Sequence, residues 1–163
     1  QWPELHDLTP GLKAEQMAWL PNDLAATKKK WKVVLLHRDV LQYGIHGRPE
    51  RLPGIDEKVG RAFMPLFDAG GVDAVLTAHL HTYRNRGHIE NFTPGEKGPL
   101  YLLTGVAGNV RYPNLWIDHD FDRPFAPQPE TNNYLTIEAS PAALTFRCFL
   151  PGGQCIDEVT LRK

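Results

Sequence analysis

The chain has 163 residues, 42% of them apolar and 23% charged, with a net charge of −1. That is enough for one domain with a real core, burying roughly two thirds of its unfolded surface. The near-neutral charge excludes recruitment to nucleic acid or to a membrane surface by bulk electrostatics, and no apolar run approaches the roughly 20 residues of a membrane span.

The opening QWPELHDL lacks the basic start and apolar core of a signal peptide. A start at Gln1 rather than Met is expected of a processed protein or a fragment. Thr9-Pro10 reads as a helix cap and first helical position. Leu12, Gln16, Trp19, Leu20 and Leu24 then follow helical spacing, predicting a helix from residue 12 to about 27, with a kink or early break at Pro21. Lys28, Lys29 and Lys30 suit the negative end of that helix.

WKVVLL (31–36) is a short buried strand ending at His37, followed by a Gly-, Pro- and Arg-rich loop over 39–54. Asp56 reads as an N-cap, Val59, Phe63, Leu66 and Phe67 as one apolar helical face, and Gly70-Gly71 as its stop. Residues 72–77 form a second buried strand, and PLYLLT (99–104) a third element leading into the small-residue turn GVAGN (105–109). Residues 111–133 read as a long ordered loop. Three apolar or alternating pieces close the chain, 134–139, 143–149 and 156–161, an antiparallel meander. The order, helix–strand–helix–strand and then strands, is an α/β layered architecture with a partly antiparallel sheet.

Cys148 and Cys155 flank the turn signal Pro151-Gly152-Gly153. Either they face each other across a hairpin as a disulfide, which implies an oxidising compartment and export, or they are two buried free thiols, the preferred reading. The compartment is otherwise open.

The chemistry gathers in VLTAHLHTYR (75–84) and VVLLHR (33–38). His37 and His79 each directly follow an apolar strand, and His81 lies two residues beyond His79. Ligands of open α/β sheets bind just past the C-terminal strand ends, and imidazole is the commonest neutral metal ligand. For any one of these histidines taken singly, a core residue satisfied by backbone is the simpler reading. Two strand–histidine junctions with a helix between them point instead to convergence on one place.

These motifs, in order, resemble the C-terminal half of a calcineurin-like metallophosphoesterase, nearest the purple acid phosphatase branch. The chain carries Gln16-Met17-Ala18-Trp19-Leu20, then VVLLHR, then VDAVLTAHLHTYR, then GPLYLLTGVAGN. The match covers residues 11–112, and more loosely the strands to Arg162. Ala78 stands where the family usually has Gly, and Asp39 where Pro is frequent. Neither change removes a ligand.

The resemblance implies a single domain over 1–163, the C-terminal part of a four-layer α/β/β/α sandwich with a mixed sheet ending in a meander. It implies that His37 and His79 hold one ion of a dinuclear site and His81 the other, with two divalent or trivalent ions (Fe, Zn or Mn) in the full protein. It implies a phosphoester substrate, His46 as the group that orients or protonates the ester, and Arg38, Arg48, Arg84 and Arg86 as phosphate contacts. The family's other ligands come from D-x-H, G-D and G-N-H motifs, none of which this sequence contains. The missing half is therefore expected upstream, and the chain alone is expected to be inactive. Two other readings stay open: a non-catalytic metal-binding or interaction module derived from the fold, and a mononuclear three-histidine zinc site. An isolated half is also expected to expose an apolar sheet edge, through which a second copy could pair.

Overall fold

The computed structural model describes residues 10–104, 106, 108, 112, 114–123 and 131–163. The expected Thr9 cap and parts of the 105–109 turn and the 111–133 loop lie outside them. Helix α1 runs over Pro10–Ala26 and continues through Pro21 rather than breaking there. The Asn22 side-chain amide donates to the Ala18 carbonyl at 3.1 Å in this stretch. Helix α2 spans Gly60–Ala69. Asp56 does cap, but one turn ahead of the regular helix: its Oδ1 accepts the backbone N–H of Lys58 at 2.9 Å and of Val59 at 2.8 Å.

The strands are β1 (Val33–Leu35), β2 (Leu41–Gln42), β3 (Gly44–Ile45), β4 (Gly54–Ile55), β5 (Ala74–Thr77), β6 (Arg84–Glu90), β7 (Thr93–Gly95), β8 (Leu100–Leu103), β9 (Trp116–Ile117), β10 (Tyr134–Ala139), β11 (Ala143–Phe149) and β12 (Cys155–Arg162). Five of them form a mixed sheet in the order β1-β5-β8-β6-β7. β1 is parallel to β5 and β5 to β8, and β6 runs antiparallel to both β8 and β7. β10, β11 and β12 make the expected antiparallel meander as a separate sheet. Two small ribbons, β2 with β4 and β3 with β9, close the 39–54 loop on itself and join it to residues 116–117.

Period-two alternation explains how the layers stack. Ala74 and Leu76 of β5, with Leu100 and Leu102 of β8, face the meander and pack on Leu144 and Phe146. Val75, Tyr101 and Leu103, their alternating neighbours, face the helices and pack with Leu20 and Leu24 of α1 and Met64 and Phe67 of α2. The central strands are thus buried on both sides. The described residues form an α/β/β stack, three of the four layers anticipated. Full burial of each such aliphatic side chain contributes about 1.5–3 kcal/mol before ordering entropy is counted.

α2 is seated by Gly60. A Cβ there would stand 2.2 Å from the Val40 carbonyl oxygen, so only glycine lets the helix touch the loop that follows His37. The Asp56 N–H donates to the same carbonyl at 2.9 Å.

The hairpin does not join its cysteines. Cys148 is opposite Asp157 and Cys155 opposite Phe149, with a register shift between them. Both thiols are free, Cys148 buried and Cys155 exposed, so the disulfide reading is set aside. Among the described residues no strand pairs with the outer side of β1. β1 ends the sheet, and Leu35 is 75% exposed on it. An apolar groove of about 410 Å³, walled by Trp19, Leu20, Val34, Leu35 and Phe63, runs beside β1 to His37 and Arg38. No helix is long and apolar enough to cross a membrane, among the described residues.

Candidate metal centre

The parallel pairing of β1 and β5 continues past their ends. Leu36 N–H donates to the Leu76 carbonyl at 3.0 Å, and Ala78 N–H to the His37 carbonyl at 3.0 Å. On the other flank the Thr104 N–H donates to the Thr77 carbonyl at 2.8 Å. These bonds set the two strand ends side by side before either histidine is reached.

At His79 the chain turns sharply. Leu80 N–H donates back to the Ala78 carbonyl at 2.9 Å, and the residue between them, His79, has φ 75°. An i→i+2 bond around a central φ near +75° is the rare, strained γ-turn. His81 follows with φ 52°, again in the left-handed region. Neither position carries glycine, although such conformations cost on the order of 1–3 kcal/mol each for other residues. Strain of this kind collects where a side chain must be aimed.

The aim is toward His37. His79 Nδ1 and His37 Nε2 are 3.2 Å apart, the rings nearly perpendicular at 81°. Two nitrogens each about 2.05 Å from one ion stand about 2.9 Å apart at a right angle and about 3.3 Å apart at the tetrahedral angle. The observed separation falls between these, and both rings are solvent-exposed. The separation matches two positions on one metal ion and equally an N–H···N hydrogen bond between the rings, whose direction depends on the tautomer. His81 is not drawn into a triad: its ring lies against Tyr112, centroids 5.3 Å apart. Among the described residues no three His, Cys, Asp or Glu side chains stand together in a ligand group.

The four arginines part company. Arg38 is partly exposed beside the pair and ion-paired to Asp56 at 3.2 Å. Arg48 is exposed on the 39–54 loop, as is His46, whose N–H donates to the Leu115 carbonyl at 3.0 Å. Arg84 and Arg86, expected at the phosphate, are instead 1% and 0% exposed. Arg84 lies between Asp118 at 3.4 Å and Asp122 at 3.5 Å, and also donates to the Thr82 hydroxyl. Arg86 pairs with Asp39 at 2.5 Å and 3.0 Å. In this structure both guanidinium groups are enclosed by protein groups.

Around Arg86 is a buried polar cluster of which the sequence offered only one hint, the Asp39 that replaces proline. The Thr77 hydroxyl donates to Asp39 Oδ1 at 2.9 Å, and Arg86 Nη1 donates to the same oxygen and to the Thr77 hydroxyl, the latter at 3.3 Å. Tyr43 lies within 3.3 Å of Arg86 Nη2 and donates its own hydroxyl to Asp122. Burial pulls against the Arg86 cation, but Asp39, Tyr43 and Asp122 outweigh it and leave its pKa above the ordinary value. Burial raises the Asp122 carboxyl, opposed chiefly by Arg86, and lowers His119, which contacts the Gly54 carbonyl at 3.2 Å.

No protein-family model matches the chain. Relatives do. Purple acid phosphatase 15 of Arabidopsis thaliana is 30% identical over 122 residues, 72% of this chain and 21% of that protein. Tartrate-resistant acid phosphatase type 5 of Rattus norvegicus is 32% identical over 116 residues, 71% of this chain and 30% of its own length. The solved structure of purple acid phosphatase PPD1 from yellow lupin (Lupinus luteus) seeds superposes with a TM-score of 0.64 at 18% identity, over 91% of this chain and 28% of that one. The chain thus spans between a fifth and a third of the length of the proteins it matches. Sequence and fold together make it a relative of the purple acid phosphatases, matching the C-terminal part of their calcineurin-like metallophosphoesterase fold.

Proposed function

We propose that this chain carries the histidine side of the metal site of a phosphoester hydrolase. The observation that carries the reading is the His37–His79 pair, held at one-ion spacing by two strand ends and a strained turn. His37 Nε2 and His79 Nδ1 would hold one ion, and His81, on the same turn, is placed in sequence to serve a second. When bound, two such ions supply Lewis acidity toward the phosphoryl oxygens and lower the pKa of water.

The chain's own residues have separate tasks. Arg38, beside the pair, binds a phosphoryl oxygen on leaving Asp56, its partner in a partly exposed ion pair of modest strength. Arg48 and His46, exposed on the 39–54 loop, meet the ester from outside, with His46 orienting or protonating it. The remaining ligands, carboxylates among them, come from a preceding half of the domain that packs along β1. The chain alone is then inactive.

The test is hydrolysis of p-nitrophenyl phosphate in buffer containing the same metal. Residues 1–163 alone should be no faster than buffer. Joined to the preceding half encoded by the same gene they should be active, and His79→Ala should abolish that activity. A metal-dependent rate from the isolated chain that His79→Ala removes would replace the half-site reading with a mononuclear one.

A further inference from the structure

We infer that Arg86, Asp39 and Thr77 form a positioning device that holds His37 and His79 at the spacing of one ion. The inference rests on the reading of that pair as metal ligands. Asp39 lies two residues after His37, and Thr77 two residues before His79. The three side chains close a ring of hydrogen bonds: Thr77 to Asp39 at 2.9 Å, Arg86 to Asp39 at 3.0 Å and Arg86 to Thr77 at 3.3 Å. One buried guanidinium therefore fastens the loop that follows His37, at Asp39, to the last residue of β5, Thr77. Its second nitrogen reaches Asp39 again at 2.5 Å and Tyr43 at 3.3 Å, which extends the clamp into the loop bearing His46.

The strand pairing alone does not require this. Backbone bonds between Leu36 and Leu76 and between Ala78 and His37 already fix the register. What they leave free is the small relative tilt of two loop-bound histidines, one of them in a strained turn. A buried ion pair is poor support for stability when an apolar core would serve as well. The planar fork of arginine does specify direction, because its donors meet two partners at once in a fixed plane. Lysine would keep the charge and lose the fork.

Zinc binding to the 163-residue chain, measured by titration calorimetry, tests this with a readout other than turnover. Thr77→Val removes one hydroxyl at nearly constant volume, and Arg86→Lys removes the fork. Each should weaken Zn²⁺ binding about 10- to 100-fold, the usual effect of losing a group that orients a ligand. Phe146→Leu, in the core between the sheets, serves as the stability control. It should lower the melting temperature measured in EDTA while leaving zinc affinity within error. If Arg86→Lys does not fold, Thr77→Val alone decides. Network variants that bind zinc as the Phe146→Leu chain does would overturn the positioning role while leaving the ligand pair standing. Undiminished zinc binding by His79→Ala would overturn the ligand pair itself, and the positioning role with it.

Discussion

The strain at His79 gives the most discriminating stability prediction. At φ 75° in a γ-turn, any residue with a Cβ is held in a sparsely populated conformation at a cost of about 1–3 kcal/mol. Glycine escapes that cost but loses about 0.4–1 kcal/mol more than alanine through the freedom of the unfolded chain. Both variants delete the imidazole, so its contact with His37 cancels in the comparison. The difference leaves His79→Gly more stable than His79→Ala by about 1 kcal/mol. For a chain of this length that is about 2–4 °C in melting temperature. The assay is thermal unfolding of both variants by circular dichroism in EDTA, so that metal does not contribute. An increase in stability from inserting glycine is unusual enough to be diagnostic. If the glycine variant melts at or below the alanine variant, residue 79 is not strained, and the claim that the turn is held under tension to aim an imidazole fails.

Three further outcomes follow from the same structure. Burial holds His119 below its ordinary pKa, so between its folded pKa and about 6.5 the unfolded chain binds more protons, and stability should fall as pH drops through that window. His119→Gln should flatten this part of the stability–pH curve relative to the parent, and an unchanged difference curve would refute the assignment. Burial pushes the Cys148 thiol up to about 12, so a thiol reagent at pH 8 should label one equivalent quickly, at exposed Cys155, and the second only on unfolding. Rapid labelling of both would contradict the packing of β11. The open β1 edge and its apolar groove should make the chain self-associate. Leu35→Lys, at the most exposed apolar side chain of that edge, should shift sedimentation toward monomer, whereas a parent chain that is already monomeric at high concentration would count against a sticky edge.

The parts of the fold legible in the sequence are those where side-chain pattern and burial agree. β5 and β8 are continuous apolar runs because both their faces are covered, and the meander announced itself through turn residues between alternating strands. The junction at His79 follows one of these covered strands, whereas β1, expected as a buried strand before His37, is a partly exposed sheet edge. β6 was not. Its residues RNRGHIE carry no apolar alternation and drew no element assignment, yet Arg84, Asn85 and Arg86 are buried in it. A strand whose inward face is built of charges has no hydrophobic period to detect, and its arginines were naturally assigned to a substrate. Their ion pairs with Asp39, Asp118 and Asp122 are tertiary facts that no local pattern carries. The cysteine pair failed as a disulfide through register: the shift after Cys148 leaves Cys155 opposite Phe149. The γ-turn was equally hidden, because nothing in Ala78-His79-Leu80 marks a left-handed residue.

The central claim, that His37 and His79 hold one metal ion, is tested most directly by anomalous scattering at the zinc edge from crystals of the chain soaked in Zn²⁺. The account predicts a single strong peak about 2.0–2.1 Å from both His37 Nε2 and His79 Nδ1, lost in His79→Ala crystals. A zinc peak bound elsewhere on the chain, with the two imidazoles still 3.2 Å apart and no density between them, would contradict it.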